Sequence, residues 1–251
     1  MTGFLLIDKP AGITSHDVVD RIRTLTGEKR VGHAGTLDPF ATGLLIVGVG
    51  REATREMHKL VGLDKTYEAV FVFGASSDTD DRTGTITSVP LPNLDEQTIR
   101  DALQKFVGVI EQIPPAYSAI KIGGKKMYEE ARKGKPMKAQ PRHVTIYSLS
   151  LLGSSTTEAI SLLVHCSSGT YIRALARDLG HALGTAAYVD TLRRTTIGPF
   201  TIVQAHYISY LSNFSALTLI PTSDLLNQIS AKLLCLPISG FFAKLWDVTI
   251  D

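Results

Sequence analysis

Apolar positions recur along the chain with two periods, and the period changes at glycines and prolines. Residues 4–8, apolar from Phe4 to Ile7, read as a short strand. Ser15 suits a helix N-cap, and Val18, Val19, Ile22 and Leu25 behind it recur at helical spacing until Gly27. Residues 31–43 combine glycines, a proline and small polar residues and predict a loop, followed by a buried strand over 44–49. A helix is expected over 51–61, an alternating strand over 67–73 and a polar turn over 78–84. Ile99, Leu103, Phe106 and Val107 sit at helical spacing behind an Asn93-x-x-Glu96 capping pattern. Residues 113–122 contain Pro114-Pro115 and read as extended chain, and Gly123-Gly124 turns it. Residues 144–152 and 159–166 read as two strands. Residues 171–183 form an amphipathic helix through Ile172, Leu175, Ala176 and Leu179, stopped by Gly184. Late strands are expected over 189–192 and 200–203. Strands and helices alternate without repeated βαβ units, which predicts an α+β fold: a mixed sheet flanked by helices.

Composition narrows the class. The chain has 251 residues, 44% hydrophobic and 20% charged, which suits one large soluble domain, with or without a small appendage. No stretch of 18 apolar residues occurs, and the apolar run at 4–7 is stopped by Asp8-Lys9-Pro10, so neither a membrane span nor a signal peptide is expected. Cys166 and Cys235 match no metal-ligand spacing and no disulfide framework, and such low cysteine use fits a cytoplasmic location. Residues 210–251 carry only five charged side chains (Asp224, Lys232, Lys244, Asp247 and Asp251). The main domain is therefore expected over 1–225, with 226–251 a short tail that packs on it or ends poorly ordered.

The net charge of +2 says little, but its distribution says more. Lys121, Lys125, Lys126, Arg132, Lys133, Lys135, Lys138 and Arg142 are opposed in their segment only by Glu129 and Glu130. Such a strip suits a polyphosphate partner, or else is an ordinary solvated surface. The densest constellation is Gly32-His33-Ala34-Gly35-Thr36-Leu37-Asp38-Pro39, continued by Phe40-Ala41-Thr42-Gly43. It holds one carboxylate beside an imidazole in a glycine-bounded loop stiffened by proline. Residue types alone favour an Asp-Pro turn with a satisfied histidine. The chain has no Gly-x-Ser-x-Gly elbow, Walker A loop, Gly-x-Gly-x-x-Gly fingerprint or His-Glu-x-x-His pair, so the usual esterase, nucleotide and zinc-protease chemistries lack support. Asp78-Thr79-Asp80-Asp81 lacks the glycine and distal glutamate of a calcium loop and reads as a solvated turn.

The segment from His33 to Pro39, with Ala41-Thr42-Gly43, closely resembles the catalytic motif of the TruB family of tRNA pseudouridine synthases. Further blocks of that family are matched in order: Asp8-Lys9-Pro10, Lys65-Thr66-Tyr67, the Asp78–Gly84 turn, Pro114 to Lys121 with Gly124 to Glu129, His165 to Arg173, Asp178-Leu179-Gly180, and Leu192-Arg193-Arg194 with Gly198 and Phe200. The resemblance spans roughly residues 3–225. Ser168 and Arg55 stand where the family commonly has lysine, and the chain is too short for a complete carboxy-terminal PUA domain.

The resemblance implies a pseudouridine-synthase fold, with a mostly antiparallel sheet and a central RNA-binding cleft. It implies isomerisation of uridine 55 in the tRNA T-loop, with the base flipped out of its stack and no cofactor, metal or nucleotide required. Asp38 would be the essential carboxylate, acting by attack at C1′, addition at C6 or assistance to an elimination. Tyr67 would stack on the flipped base and help proton removal, and Arg173 would keep Asp38 ionised. His33 would enter the space the base leaves, while Tyr171 and Leu192 would line the uracil pocket. Lys9, Lys121, Lys125, Lys126, Arg193 and Arg194 are candidate phosphate contacts, which position RNA without reading bases. The expected partner is the tRNA T-arm, met by a monomer away from any membrane. The alternative is a tRNA-binding and refolding module whose catalysis is dispensable or lost.

Overall fold

The computed structural model describes residues 2–118, 120–135, 137, 139–153, 158–208 and 218–234. In chain order the elements are β1 (Gly3–Lys9), α1 (Ser15–Thr26), β2 (Val31–Ala34), β3 (Thr42–Val49), α2 (Gly50–Val61), β4 (Lys65–Phe73), β5 (Ala75–Ser77), β6 (Ile86–Ser88), α3 (Glu96–Gln104), β7 (Gly108–Gln112), β8 (Lys121–Ile122), β9 (Lys125–Lys126), α4 (Met127–Arg132), β10 (Arg142–Leu151), β11 (Ala159–Cys166), α5 (Ile172–Ala182), β12 (Ala187–Ile197), β13 (Phe200–Thr201), a 3-10 turn (Ile202–Gln204), β14 (His206–Tyr207) and α6 (Thr222–Leu234). A ten-stranded sheet runs in the order β14-β1-β3-β12-β4-β11-β10-β7, with β2 on β3 and β13 on β12. Its pairs are antiparallel except β1 with β14 and β3 with β12. Among the described residues no helix is long and apolar enough to cross a membrane.

The patterning explains which faces are covered. Strands β1 and β3 are buried at almost every position because both faces are packed. Leu5, Ile7, Leu45 and Val47 meet Val18 and Ile22 of α1 on one side. Phe4, Leu6, Leu44 and Ile46 meet Ala53 and Leu60 of α2 and Leu225 and Ile229 of α6 on the other. Strands β4 and β11 alternate instead. Their inward residues, Tyr67, Ala69, Phe71, Leu162 and Val164 among them, pack with Leu175 and Leu179 of α5 and Ile99 and Leu103 of α3.

These two halves of the sheet join where β3 and β12 pair in parallel, through Arg193 with Thr42 and Arg194 with Gly43. Gly43 has φ +105°, and a Cβ there would stand 2.3 Å from the Arg194 carbonyl oxygen. Only glycine lets the strands close at this seam. The loop carrying Asp38 enters β3 directly beside it.

Several local expectations differ from the structure. Residues 31–34, expected within a loop, form β2, because β3 leaves β12 after Gly43 and its free edge recruits a partner. The N-cap of α1 is Thr14, whose Oγ1 accepts from Asp17 N while Asp17 Oδ2 accepts from Thr14 N. Ser15 instead exchanges hydrogen bonds with the Leu37 backbone, donating to its carbonyl and accepting from its N–H at 2.9 Å. Helix α3 is capped by Asp95 and ends at Gln104, so Phe106 and Val107 lie beyond it. Strand β7 carried no recognised signal, and β12 extends over eleven residues although Arg193 to Thr196 interrupt its apolar pattern. Pairing with β4, through bulges at 189/191 and 194/196, sustains it. Helix α6 runs through residue 226, where the tail was expected to begin, and residues 235–251 of that tail lie outside the described residues.

Candidate active site

Three elements of the seam contribute to one cavity of about 280 Å³. The loop before β3 supplies Gly35 to Asp38, β4 supplies Lys65 and Tyr67, and β12 supplies Leu192 and Arg194. The start of α5 closes it with Tyr171, Ile172 and Arg173.

Asp38 lies at the mouth, its side chain one-third exposed, against an Arg173 side chain that is 4% exposed. Arg173 Nε stands 2.9 Å from Asp38 Oδ2, and Nη2 donates to Oδ1 at 3.2 Å. The guanidinium is itself fixed from behind. Its Nη1 donates to the Thr79 carbonyl at 2.8 Å and lies 3.5 Å from Asp81 Oδ2, and its Nη2 also donates to the Tyr117 carbonyl at 2.9 Å. A planar fork tied to two carbonyls and flanked by a second carboxylate presents a fixed positive edge to the Asp38 carboxylate.

The Asp-rich turn is therefore not the solvated turn the residue types suggested. Asp81 is 4% exposed and accepts from Thr79 and Thr83 as well as facing Arg173. Asp80 adopts φ +58° and pairs with Arg177 at 3.0 Å. Burial pushes the Asp80 carboxyl above its usual range, with Arg177 and Arg173 opposing. The turn docks on α5 and braces the arginine. Asp81 was missed as a site residue, and its signal was the unusual density of carboxylates before Arg82.

Tyr67 is buried on β4 in register with Arg194 on β12. Burial raises its phenol above the ordinary value of 10, while the neighbouring Arg194 guanidinium pulls it down. Leu192 and Tyr171 form walls, and the Arg142 guanidinium lies 4.5 Å from the centroid of the Tyr171 ring. His33, in β2, is partly buried beside the cavity-forming loop, and burial lowers its pKa, assisted by Arg194 and His16. Lys65, which carried only a motif match, sits against the cavity. It donates to the Val61 carbonyl at 2.7 Å and to Ser168 Oγ at 3.2 Å. It caps the end of α2, and burial lowers its pKa to about 8.

The expected phosphate contacts fall into different places. Lys9 is fully buried, donating to the Pro10 and Ile13 carbonyls at 2.8 Å and to Pro39 at 3.4 Å, with a pKa lowered by burial to about 8. It pins the Asp38-Pro39 loop to the end of β1. Arg194 is 1% exposed and donates to the Leu44 and Gly35 carbonyls at 2.8 and 3.0 Å. Arg193 forks onto Asp8 at 3.1 and 2.7 Å. Lys125 is exposed in the β8–β9 hairpin, and the side chains of Lys121 and Lys126 lie outside the described residues, as does Lys138. Among the described residues no group of three or more His, Cys, Asp or Glu could hold a metal ion.

A family model described as TruB family pseudouridylate synthase (N terminal domain) matches residues 23–172, and one described as tRNA pseudouridylate synthase B C-terminal domain matches 173–227. The chain is 43% identical over 230 residues to the tRNA pseudouridine synthase B of Thermobifida fusca, covering 88% of this chain and 78% of that protein. To the protein of the same name from Bordetella parapertussis it is 46% identical over 208 residues, covering 82% and 84%. Among solved structures it is similar to the Cbf5–Nop10–Gar1 complex, at TM-score 0.64 and 29% identity, over 83% of this chain and 54% of that one. A second is an H/ACA RNP bound to a substrate RNA containing 2′-deoxyuridine, at TM-score 0.62 and 27% identity, over 83% and 52%. The chain spans about half the length of these solved chains.

Proposed function

Because the chain belongs to the TruB family of pseudouridylate synthases, we propose that it isomerises uridine 55 of the tRNA T-loop to pseudouridine, with Asp38 as the essential carboxylate. The observation that carries the reading is the Asp38–Arg173 pair: a part-exposed carboxylate held by a buried guanidinium, itself tied to two backbone carbonyls, in the lining of a cavity of about 280 Å³. Such a volume lies near the lower end of small-ligand pockets, about 300–1,000 Å³, and suits one flipped pyrimidine nucleoside.

The reaction conserves atoms. The N1–C1′ bond breaks, the uracil turns, C5 bonds to C1′, and the proton at C5 leaves to a base while N1 gains one. Arg173 aims the Asp38 carboxylate and faces it with a fixed positive charge, so an acidic oxygen meets the substrate without a cofactor. Unstacking the base costs a few kcal/mol, and stacking on an aromatic face such as that of Tyr67 returns about 1–3 kcal/mol. We also assign the Tyr67 hydroxyl a part in the proton transfer; burial raises its pKa and keeps it neutral, so it would relay a proton and not act as a free base. His33 takes the space the base vacates. The basic hairpin with Lys125 offers phosphate contacts, and Lys9 and Arg194 shape the loop beneath Asp38. We take the protein to act as a cytoplasmic monomer on the T-arm, with a catalytic domain that includes residues 1–225 and the rest of helix α6, whose Ile229 packs in the same core.

The test uses an unmodified T-arm stem-loop in the presence of EDTA, with pseudouridine mapped by carbodiimide-dependent reverse-transcription stops. The wild-type chain is expected to form product and Asp38→Ala to form none while still binding the RNA. Tight binding without product by the wild type would overturn the reading and favour a refolding module.

A further inference from the structure

The geometry points to Gln112 as a positioning residue that holds Tyr171 in the wall of the cavity, an inference that rests on the reading of that cavity as the uridine pocket. Gln112 is the last residue of β7 and is 0% exposed. Its Oε1 accepts from the Tyr171 N–H at 2.8 Å and its Nε2 donates to the Tyr171 carbonyl at 3.0 Å. A side-chain amide thus pairs with the tyrosine backbone as a neighbouring strand would.

The need for it is local. Tyr171 is the N-cap of α5, extended at φ −98° and ψ 110°, and no side chain caps the helix. Tyrosine offers no short oxygen with which to cap a first turn, so the chain entering α5 must be fixed from outside. The residue opposite Gln112 in the β7–β10 register is Arg142. Its guanidinium covers the Tyr171 ring at 4.5 Å and donates to the Gly169 carbonyl. One cross-strand pair therefore grips the tyrosine twice, Gln112 at the backbone and Arg142 at the ring. Arg173 follows two residues later, so the same grip sets the start of the helix that aims it at Asp38.

Gln112→Met keeps length and volume but removes both hydrogen bonds. Gln112→Glu keeps the acceptor and loses the donor while ionised. In amide hydrogen exchange, Gln112→Met is expected to expose the Tyr171 N–H about tenfold faster, with α5 beyond its first turn unchanged, and Gln112→Glu is expected to have a smaller effect. On a T-arm stem-loop, Gln112→Met is expected to lower kcat roughly tenfold or more with KM within about twofold, since a displacement of 1 Å costs up to about a hundredfold. Unchanged exchange at Tyr171, or an unchanged kcat in a variant whose exchange has risen, would overturn the proposal. A uniform rise in exchange across the sheet would overturn it too, by showing that Gln112 only supports the fold. If the wild type forms no pseudouridine, the reading of function fails, and the exchange result still decides whether Gln112 positions Tyr171.

Discussion

Arg173 meets Asp38 with two nitrogens, Nε 2.9 Å from Oδ2 and Nη2 3.2 Å from Oδ1, although 135 residues separate them in the chain. The arginine's remaining bonds, to the Thr79 and Tyr117 carbonyls, leave it one orientation. A lysine carries the charge but cannot span both oxygens or reach both carbonyls. Arg173→Lys is expected to lose about a hundredfold or more in single-turnover rate while RNA affinity changes little. A rate within a few-fold of wild type would show that charge alone suffices.

Tyr67 carries both an aromatic face and a hydroxyl, and two variants test whether it serves turnover or only the fold. Tyr67→Phe keeps the ring and removes the hydroxyl, so RNA binding is expected to persist while turnover falls about a hundredfold or more. Tyr67→Leu also removes the aromatic face and is expected to retain RNA binding while losing most turnover. Binding isotherms beside rapid-quench kinetics measure both. Parallel loss of binding and turnover in Tyr67→Leu would mean that the residue only supports β4.

Lys9 links the Asp38 loop to alkaline pH. Its folded pKa of about 8 lies below the ordinary 10.5, so the penalty for burying the ammonium is fully present below pH 8. Between pH 8 and 10.5 the unfolded chain keeps a proton that the folded chain gives up, so this group's contribution to stability rises with pH, by at most about 1.4 kcal/mol per unit. Lys9→Met abolishes that rise. Urea unfolding at pH 7.5 and 9.5 should therefore show wild type gaining on the variant as pH increases, and a constant or shrinking difference would refute it.

Gly43 is where the two halves of the sheet meet. At φ +105° an added Cβ would stand 2.3 Å from the Arg194 carbonyl oxygen and 2.7 Å from its nitrogen. Left-handed backbone costs about 1–2 kcal/mol and overpacking about 1–3 kcal/mol, so Gly43→Ala is expected to destabilise the protein by roughly 2–5 kcal/mol. Calorimetry should record a clear fall in Tm, and a Tm within a degree of wild type would show that the seam can part without cost.

Most elements were legible in the residue pattern because burial of a face imposes a period on a single segment. The continuous apolar runs of β1 and β3, the alternation of β4 and β11, and the stripe of α5 all state which faces are covered. The glycine-bounded loop singles out the segment around Asp38 for the same local reason, but residue types alone leave it open as an Asp-Pro turn, and the carboxylate's assignment comes from the family resemblance. What lay outside that reach depends on partners distant in the chain. Strand β2 exists because β3 has a free edge beyond Gly43, and the polar half of β12 is held by β4. Lys9, Arg193 and Arg194 are candidate phosphate contacts in the sequence, yet tertiary packing turns them to the Pro39 carbonyl, the Asp8 carboxylate and the Gly35 carbonyl. Periodicity encodes whether a residue is covered. Which charge answers which is settled only when the chain closes, because a buried ion takes whatever donors and acceptors the fold brings within about 3 Å.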